Sequence, residues 1–309
     1  MISFAVIGGG WRSEFYIRVA NALPHLFNIT GIYLRNEKTQ AEFSNKYSIK
    51  IFDNLEKMLE TKPDFVVSCV NKSNILNEID LLCRKGVPVL SETPAGISRE
   101  QISVFKQKLN KDYKVQVAEQ FHLMPTNKAI KKVINSGILG EVNYVSLSCC
   151  HDYHAISLMK FFLDIKEDEA PTVQSFTLSD NIIRYNGRYG NIEPQKITTE
   201  QKIALIKWGE KVGIYNFNKE QYFSQIRQKS ITVRGTNGEF QNGICTYLEN
   251  GKIKSFKLEA LESFENSGLN EDEQAIAECL VRMQNYLKTG EEFYPLSKAI
   301  SDSEISLLI

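Results

Sequence analysis

Residues Ile2-Ser3-Phe4-Ala5-Val6-Ile7-Gly8-Gly9-Gly10-Trp11-Arg12-Ser13 decide the fold of this chain: a short apolar run empties into glycines and then opens a helix-forming segment. A strand that ends in glycines and starts a helix is a cradle for phosphate, because the unbonded amides of the first helical turn point at negative charge. Gly8 provides the tight turn. Gly10 removes the Cβ that would block a pyrophosphate, and Ser13 stands where the G-x-G-x-x-G pattern has its third glycine. Such a turn by itself also serves tight packing. A second apolar strand, expected over 29–34 one helix later, completes a βαβ unit and favours a dinucleotide site.

In such a fold the end of the second strand meets the adenosine ribose, where a carboxylate would accept hydrogen bonds from both hydroxyls of NAD. Here Leu34-Arg35-Asn36 occupies that place. A guanidinium at Arg35 can pair with a 2′-phosphate that an acid would repel, so NADP(H) is favoured over NAD(H). The alternative is a solvated loop arginine.

The 309 residues are 42% hydrophobic, enough for two ordinary cores. Basic and acidic residues number 37 each, which argues against a general nucleic-acid or anionic-membrane role. No apolar run approaches membrane-spanning length, and Met1 leads directly into the first strand without a signal peptide, so a soluble cytoplasmic protein is expected. Six cysteines, Cys69, Cys83, Cys149, Cys150, Cys245 and Cys279, lack any C-x-x-C pair and read as reduced, mostly buried thiols. Cys149 and Cys150 end an expected strand, where adjacent side chains face opposite ways, so at most one lines a site.

Helices and strands alternate up to about residue 120, with strands expected at 49–52, 65–70, 87–90 and 114–118 and helices at 13–23, 38–47, 54–60, 75–85 and 98–109. That alternation without hairpins gives an α/β fold with a doubly wound parallel sheet over 1–120. Beyond it a helix (125–136), a strand (142–149) and a helix (155–163) precede strands at 173–178, 202–208, 212–217, 228–234 and 252–258. Short turns at Gly187, Gly209, Thr236-Asn237-Gly238 and Asn250-Gly251 make this second part, 121–309, an α+β domain with an open, mostly antiparallel sheet.

Three of the four histidines, His122, His151 and His154, fall just after the first domain closes. Cys150-His151-Asp152-Tyr153-His154 joins a strand to a helix, and imidazole, phenol and carboxylate are groups that move a proton while a hydride moves to nicotinamide. His154 is the candidate acid or base, with Tyr153 and Asp152 orienting it; His122 and His151 are candidate substrate contacts. A helix-entry role for His154 and a cap role for Asp152 are the structural alternatives. Two histidines without a further ligand at suitable spacing do not make a metal site. Ser91-Glu92-Thr93-Pro94 follows the fifth strand, at the carboxyl edge that faces the ligand crevice, so Glu92, Thr93 and Pro94 are candidate nicotinamide contacts; Asn71 lies on the same edge. Strand termination by Thr93-Pro94 and a turn begun by Asn71 are the competing readings.

Gly8-x-Gly10, Glu92-Thr93-Pro94, Glu119-Gln120-Phe121-His122, Ser136-Gly137-Ile138-Leu139-Gly140-Glu141-Val142 and Gly235-Thr236-Asn237-Gly238 together resemble the glucose-fructose oxidoreductase, inositol dehydrogenase and MocA (Gfo/Idh/MocA) family. The resemblance implies an N-terminal Rossmann domain, a C-terminal sheet that often pairs subunits into homodimers or homotetramers, and NAD(P)-dependent chemistry on sugars, cyclitols or related small molecules. It also marks departures. The family's E-K-P lysine, which binds cofactor and helps proton transfer, is Thr93. In D-x-x-x-H only the histidine has a counterpart, His154, the aspartate's place falling on Cys150. The segment from Val142 to His154 is shorter than the family's, and Arg227 is either an anion contact or a solvated surface residue.

The expected function is therefore an NADP(H)-preferring oxidoreductase of a small polar carbinol or carbonyl, bound at Gly8, Gly10, Trp11, Arg12, Ser13, Arg35, Asn71, Glu92, Thr93 and Pro94. Two alternatives are an eliminase or hydrolase with tightly held nicotinamide, and a cofactor-binding regulatory or scaffold protein that has lost catalysis.

Overall fold

The N-terminal apolar run forms β1 (Ile2–Ile7) at the centre of a sheet, where Phe4, Ala5 and Val6 are fully buried. A strand apolar on both faces needs cover on both, which a parallel sheet flanked by helices provides. In a computed structural model that describes residues 1–109, 112–187, 190–224 and 226–309, β1 is joined by β2 (Phe27–Tyr33), β3 (Ile51–Phe52), β4 (Phe65–Ser68), β5 (Val89–Ser91) and β6 (Val115–Val117). All pairings are parallel, in the order β3-β2-β1-β4-β5-β6. The order reverses across β1, so the loops after β1 and β4 open a crevice at the carboxyl edge. The connecting helices are α1 (Trp11–Ala22), α2 (Glu37–Lys46), α3 (Leu55–Leu59), α4 (Ile75–Arg84) and α5 (Arg99–Lys108).

The chain divides into two compact units, Met1–Pro125 with Glu262–Glu304, and Thr126–Leu261 with Ile305–Ile309. The expected second domain over 121–309 is thus corrected at its far end. The reason is apolar burial: α8 (Glu271–Thr289) places Ala275, Ile276, Cys279, Leu280 and Met283, all fully buried, in the same core as Phe4, Tyr16 and Ile17. The chain beyond it also binds the sheet edge, since Gln116 in β6 accepts hydrogen bonds from the amides of Phe293 and Tyr294, and the Val117 amide donates to the Tyr294 carbonyl at 2.9 Å.

In the second unit, β7 (Val142–Ser148), β8 (Thr172–Gly187), β9 (Gly190–Trp208), β10 (Lys211–Phe217), β11 (Ser230–Gly235), β12 (Gly238–Gln241), β13 (Ile244–Glu249) and β14 (Lys252–Lys257) form one sheet, ordered β14-β13-β12-β11-β7-β10-β9-β8. Among the described residues only the β7–β10 pairing is parallel. α6 (Pro125–Asn135) precedes β7, and α7 (Asp152–Leu163) packs on β7 and β10. Val145, Leu147, Ala204, Ile206, Tyr215 and Val233 are buried, while Phe176, paired with Ile203 in the outer hairpin, is 65% exposed. Between the expected strands at 228–234 and 252–258 the structure has two more, β12 and β13, and the outer hairpin is far longer than expected. Helix α9 (Leu296–Ser306) runs to within three residues of the last one, Ile309. Among the described residues no helix is long and apolar enough to cross a membrane.

Candidate functional site

The first unit builds its loop from backbone constraints. Gly8 has φ +112°, and a Cβ there would lie 2.5 Å from the Cys69 carbonyl oxygen, so β1 turns directly against the end of β4. Gly10 is the N-cap of α1, extended at φ −84°, and a Cβ built on it meets nothing within 4 Å. The glycine turn thus has packing at its first position and open space at its third, with the amides of α1 beginning there. Ser13 is buried and donates its hydroxyl to the Gly8 carbonyl at 2.7 Å, which ties the loop to the helix it opens. Trp11 is exposed and lies edge-on to Phe15 at 5.1 Å.

Arg12 and Glu92, both expected to contact the cofactor, are engaged with each other. Arg12 Nε donates to Glu92 Oε1 at 2.9 Å, Nη1 donates to Asp272 Oδ2 at 3.1 Å, and the Tyr16 hydroxyl donates to Glu92 Oε1 at 2.6 Å. The cause is burial, since charges removed from water are held only against opposite charge. Burial opposes the Arg12 charge, but Glu92 and Asp272 hold its pKa above the usual arginine range. Burial and the Glu92 charge push the Tyr16 phenol well above its usual range, and burial does the same to Cys69 and Cys279.

Thr93 is partly exposed and precedes a cis peptide to buried Pro94. The Asn71 side chain accepts from the Ser73 amide at 3.2 Å, the turn-forming alternative. Arg35 follows β2 as expected, but its Nη2 donates to Glu78 Oε2 of α4 at 2.9 Å. Hydrogen bonding to Tyr33, against a burial cost, and the Glu78 charge keep Arg35 above its ordinary pKa. His122, expected at the substrate, is buried in a short 3-10 turn (Gln120–Leu123) and sits edge-on to Tyr294 at 5.2 Å, so the returning C-terminal segment covers it.

In the second unit the structure brings His151, Asp152, Tyr153 and His154 together at the start of α7. That helix begins at Asp152, three residues earlier than expected, with His151 as its N-cap. Tyr153 and His154 rings are 4.3 Å apart, and His151 lies 5.9 Å from Tyr153 and 5.3 Å from Tyr222. The His151 amide donates to the Tyr222 hydroxyl at 3.2 Å. Asp152 accepts from the Tyr153 amide at 3.0 Å and from Lys202 Nζ of β9 at 2.8 Å. Burial lifts the phenols of Tyr215 and Tyr222 far above their usual range. Cys149 and Cys150 are both buried with their sulfurs 3.7 Å apart; β7 ends at Ser148, so strand alternation does not separate them. Arg227 forms an ion pair with Asp180 in the same unit, which meets its charge.

Sequence reading missed Glu78, Lys202, Tyr16 and Asp272. Each joins a site residue from a different element, and no local spacing signals such a partner.

The first unit, with its switch-point crevice and glycine turn, has the architecture of a Rossmann domain. Residues 2–121 match the model of the Gfo/Idh/MocA oxidoreductase family, NAD-binding Rossmann fold. No curated protein sequence matches the chain. Among solved structures, an oxidoreductase from Agrobacterium radiobacter in complex with NAD+, L-tartaric acid and magnesium is 14% identical with TM-score 0.75, over 99% of this chain and 94% of that one. A levoglucosan dehydrogenase in complex with NADH and levoglucosan is 13% identical with TM-score 0.76, over 100% and 96%. The myo-inositol 2-dehydrogenase from Lactobacillus plantarum is 14% identical with TM-score 0.69, over 99% and 95%. At these identities the likeness is one of fold.

Proposed function

We propose that this chain is an NAD(P)-dependent oxidoreductase that transfers a hydride to or from a sugar, cyclitol or similar small polar carbinol or carbonyl. The glycine turn carries the reading: Gly8 is held by its close approach to Cys69, while Gly10 leaves open space at the N-terminus of α1. That is the shape a pyrophosphate needs. The family match and the dehydrogenases among the structural neighbours support the substrate class.

When bound, the dinucleotide supplies or accepts the hydride. The amides from Gly10 onward and Ser13 would hold the pyrophosphate end, Arg35 and Asn71 would flank the adenosine, and Thr93 with Pro94 would border the nicotinamide. A carbinol that gives up a hydride also gives up its hydroxyl proton. In the second unit His154 is the group that takes or returns that proton, with Tyr153 packed on its ring and Asp152 in the same helical turn. Lys202 pairs with Asp152 and so places a cation in this unit.

A second copy of the chain would cover the outer face of the eight-stranded sheet, where Phe176 and Leu178 are exposed and Ile203, Leu205 and Ile214 lie on the same face by register. Sedimentation of the purified protein at a dimer or tetramer mass is expected, and a monomer would exclude that assembly.

The test of the function is titration with NADH and NADPH followed by a panel of polyols, sugars and their ketones, read by nicotinamide absorbance. Cofactor binding with turnover of at least one panel member is expected. Binding with no turnover across the panel would transfer the reading to a cofactor-binding regulatory protein.

A further inference from the structure

Resting on the dinucleotide reading of the first unit, we propose that Glu78 sets the cofactor preference, engaging Arg35 so that the site favours the unphosphorylated ribose of NAD(H). Arg35 alone points the other way. It follows β2, at the place where an acidic residue would take the ribose hydroxyls, and a free guanidinium there would welcome a 2′-phosphate. The guanidinium is not free, because Nη2 donates to Glu78 Oε2 at 2.9 Å.

The two partners differ in how far they can adapt. The Arg35 side chain is 62% exposed, whereas that of Glu78 is 4% exposed. Glu78 Oε1 is buried with no hydrogen-bond partner among the described residues, so Arg35 is the cation that compensates this carboxylate at Oε2. A buried carboxylate that loses its counter-charge is strongly destabilised. Turning Arg35 away toward a 2′-phosphate would impose that loss. Leaving the ion pair intact would instead bring a dianion toward a site whose positive charge is already balanced, with Glu37 adding a further carboxylate in the first turn of α2. Neutral ribose hydroxyls meet neither penalty.

The experiment measures NADH and NADPH dissociation constants for the full-length protein and for Glu78→Gln, with 5′-AMP and adenosine 2′,5′-bisphosphate as competitors of NADH to isolate the ribose end. Wild type is expected to bind NADH at least about tenfold more tightly than NADPH, the scale of one charge-assisted contact, and 5′-AMP more tightly than the bisphosphate. Glu78→Gln is expected to tighten NADPH by about tenfold with little change for NADH, and adding Arg35→Ala to Glu78→Gln is expected to remove that gain. A wild-type preference for NADPH overturns the inference without any variant. So does an unchanged NADH-to-NADPH ratio in a folded Glu78→Gln protein. Failure to bind either dinucleotide is distinct, since it removes the underlying reading as well.

Discussion

Arg12 and Glu92 lie 80 residues apart in sequence and meet at 2.9 Å in the interior of the first unit, the guanidinium donating from the first turn of α1 to a carboxylate just past β5. Asp272, from the first turn of α8, takes the second donor of the same guanidinium. Three segments of the first unit, the start of α1, the chain just past β5 and the start of α8, are therefore pinned by one arginine. The network holds the glycine turn in place, and no part of it needs to touch a ligand to do so.

Glu92→Ala is expected to destabilise the protein by about 3 kcal/mol or more, the usual scale for removing one partner of a buried pair, because Arg12 keeps a buried charge. Replacing both residues, as Arg12→Met with Glu92→Leu, should cost less than the single change. Urea denaturation followed by circular dichroism measures both. A single variant as stable as wild type would show that the pair carries no net stability.

The same network gives stability a sign with pH. Burial and Glu92 raise the folded-state pKa of Tyr16 above its ordinary value of 10.0, so the folded protein keeps this proton while the unfolded chain loses it. The stabilisation is complete below pH 10 and falls as pH rises through the window above it. Unfolding free energies from about pH 8 to about pH 11 should decline less steeply in Tyr16→Phe than in wild type. Tyr215 and Tyr222, raised by burial in the second unit, contribute a background slope that the substitution leaves in place.

Gly8→Ala and Gly10→Ala should separate folding from binding. An alanine at position 8 meets the Cys69 carbonyl and a φ of +112°, so a loss of about 2 kcal/mol or more is expected. An alanine at position 10 has open space and an ordinary backbone; it should change stability by about 0.5 kcal/mol at most while weakening NADH binding at least about tenfold, because the methyl occupies the phosphate approach. Thermal melts with NADH titration check both. Undiminished NADH affinity in Gly10→Ala would place the cofactor elsewhere.

The first unit was legible because its strands are buried on both faces and read as unbroken apolar runs, such as Phe65 to Ser68. The second sheet was legible only in part. Strands β12 and β13 carry few buried residues, and the added length of β9, from Asn191 to Lys196, is exposed on both faces, so no hydrophobic alternation marks them. The return of α8 to the first core was hidden for a different reason, since an amphipathic helix does not declare which sheet its apolar face will meet. The site followed the same rule. Backbone-determined positions, Gly8, Gly10 and Ser13, were readable from spacing, whereas Arg12, Arg35 and Asp152 were identified without the partners that fix what their charges do. Those partners, Glu92 with Asp272, Glu78 and Lys202, come from elements distant in sequence.

With a substrate in hand, His154→Ala should abolish turnover while leaving the NADH dissociation constant within about twofold, since the residue proposed for proton transfer is not among those proposed to hold the dinucleotide. Lys202→Met should lower kcat and alter its pH profile without abolishing activity, because Asp152, in the same helical turn as His154, then loses the ammonium that balances it at 2.8 Å. Comparable turnover in His154→Ala would assign the proton to another group. An unchanged pH profile in Lys202→Met would reduce the ion pair to a structural contact.

A chain ended at Leu261 is expected to lose the first unit's fold as well as the helices removed. Truncation there takes away Ala275, Ile276, Cys279, Leu280 and Met283 from the core and Asp272 from Arg12. It also strips Gln116 of the Phe293 and Tyr294 amides, exposing one flank of β6. Burying a leucine, isoleucine or methionine side chain contributes about 1.5–3 kcal/mol, so the loss of three together with two smaller side chains is comparable to the whole stability of a domain. The truncated chain should therefore show no cooperative thermal transition and no NADH binding by titration. A shortened protein that melts cooperatively and binds NADH would mean that residues 1–125 fold alone and that α8 is an accessory to the core rather than part of it.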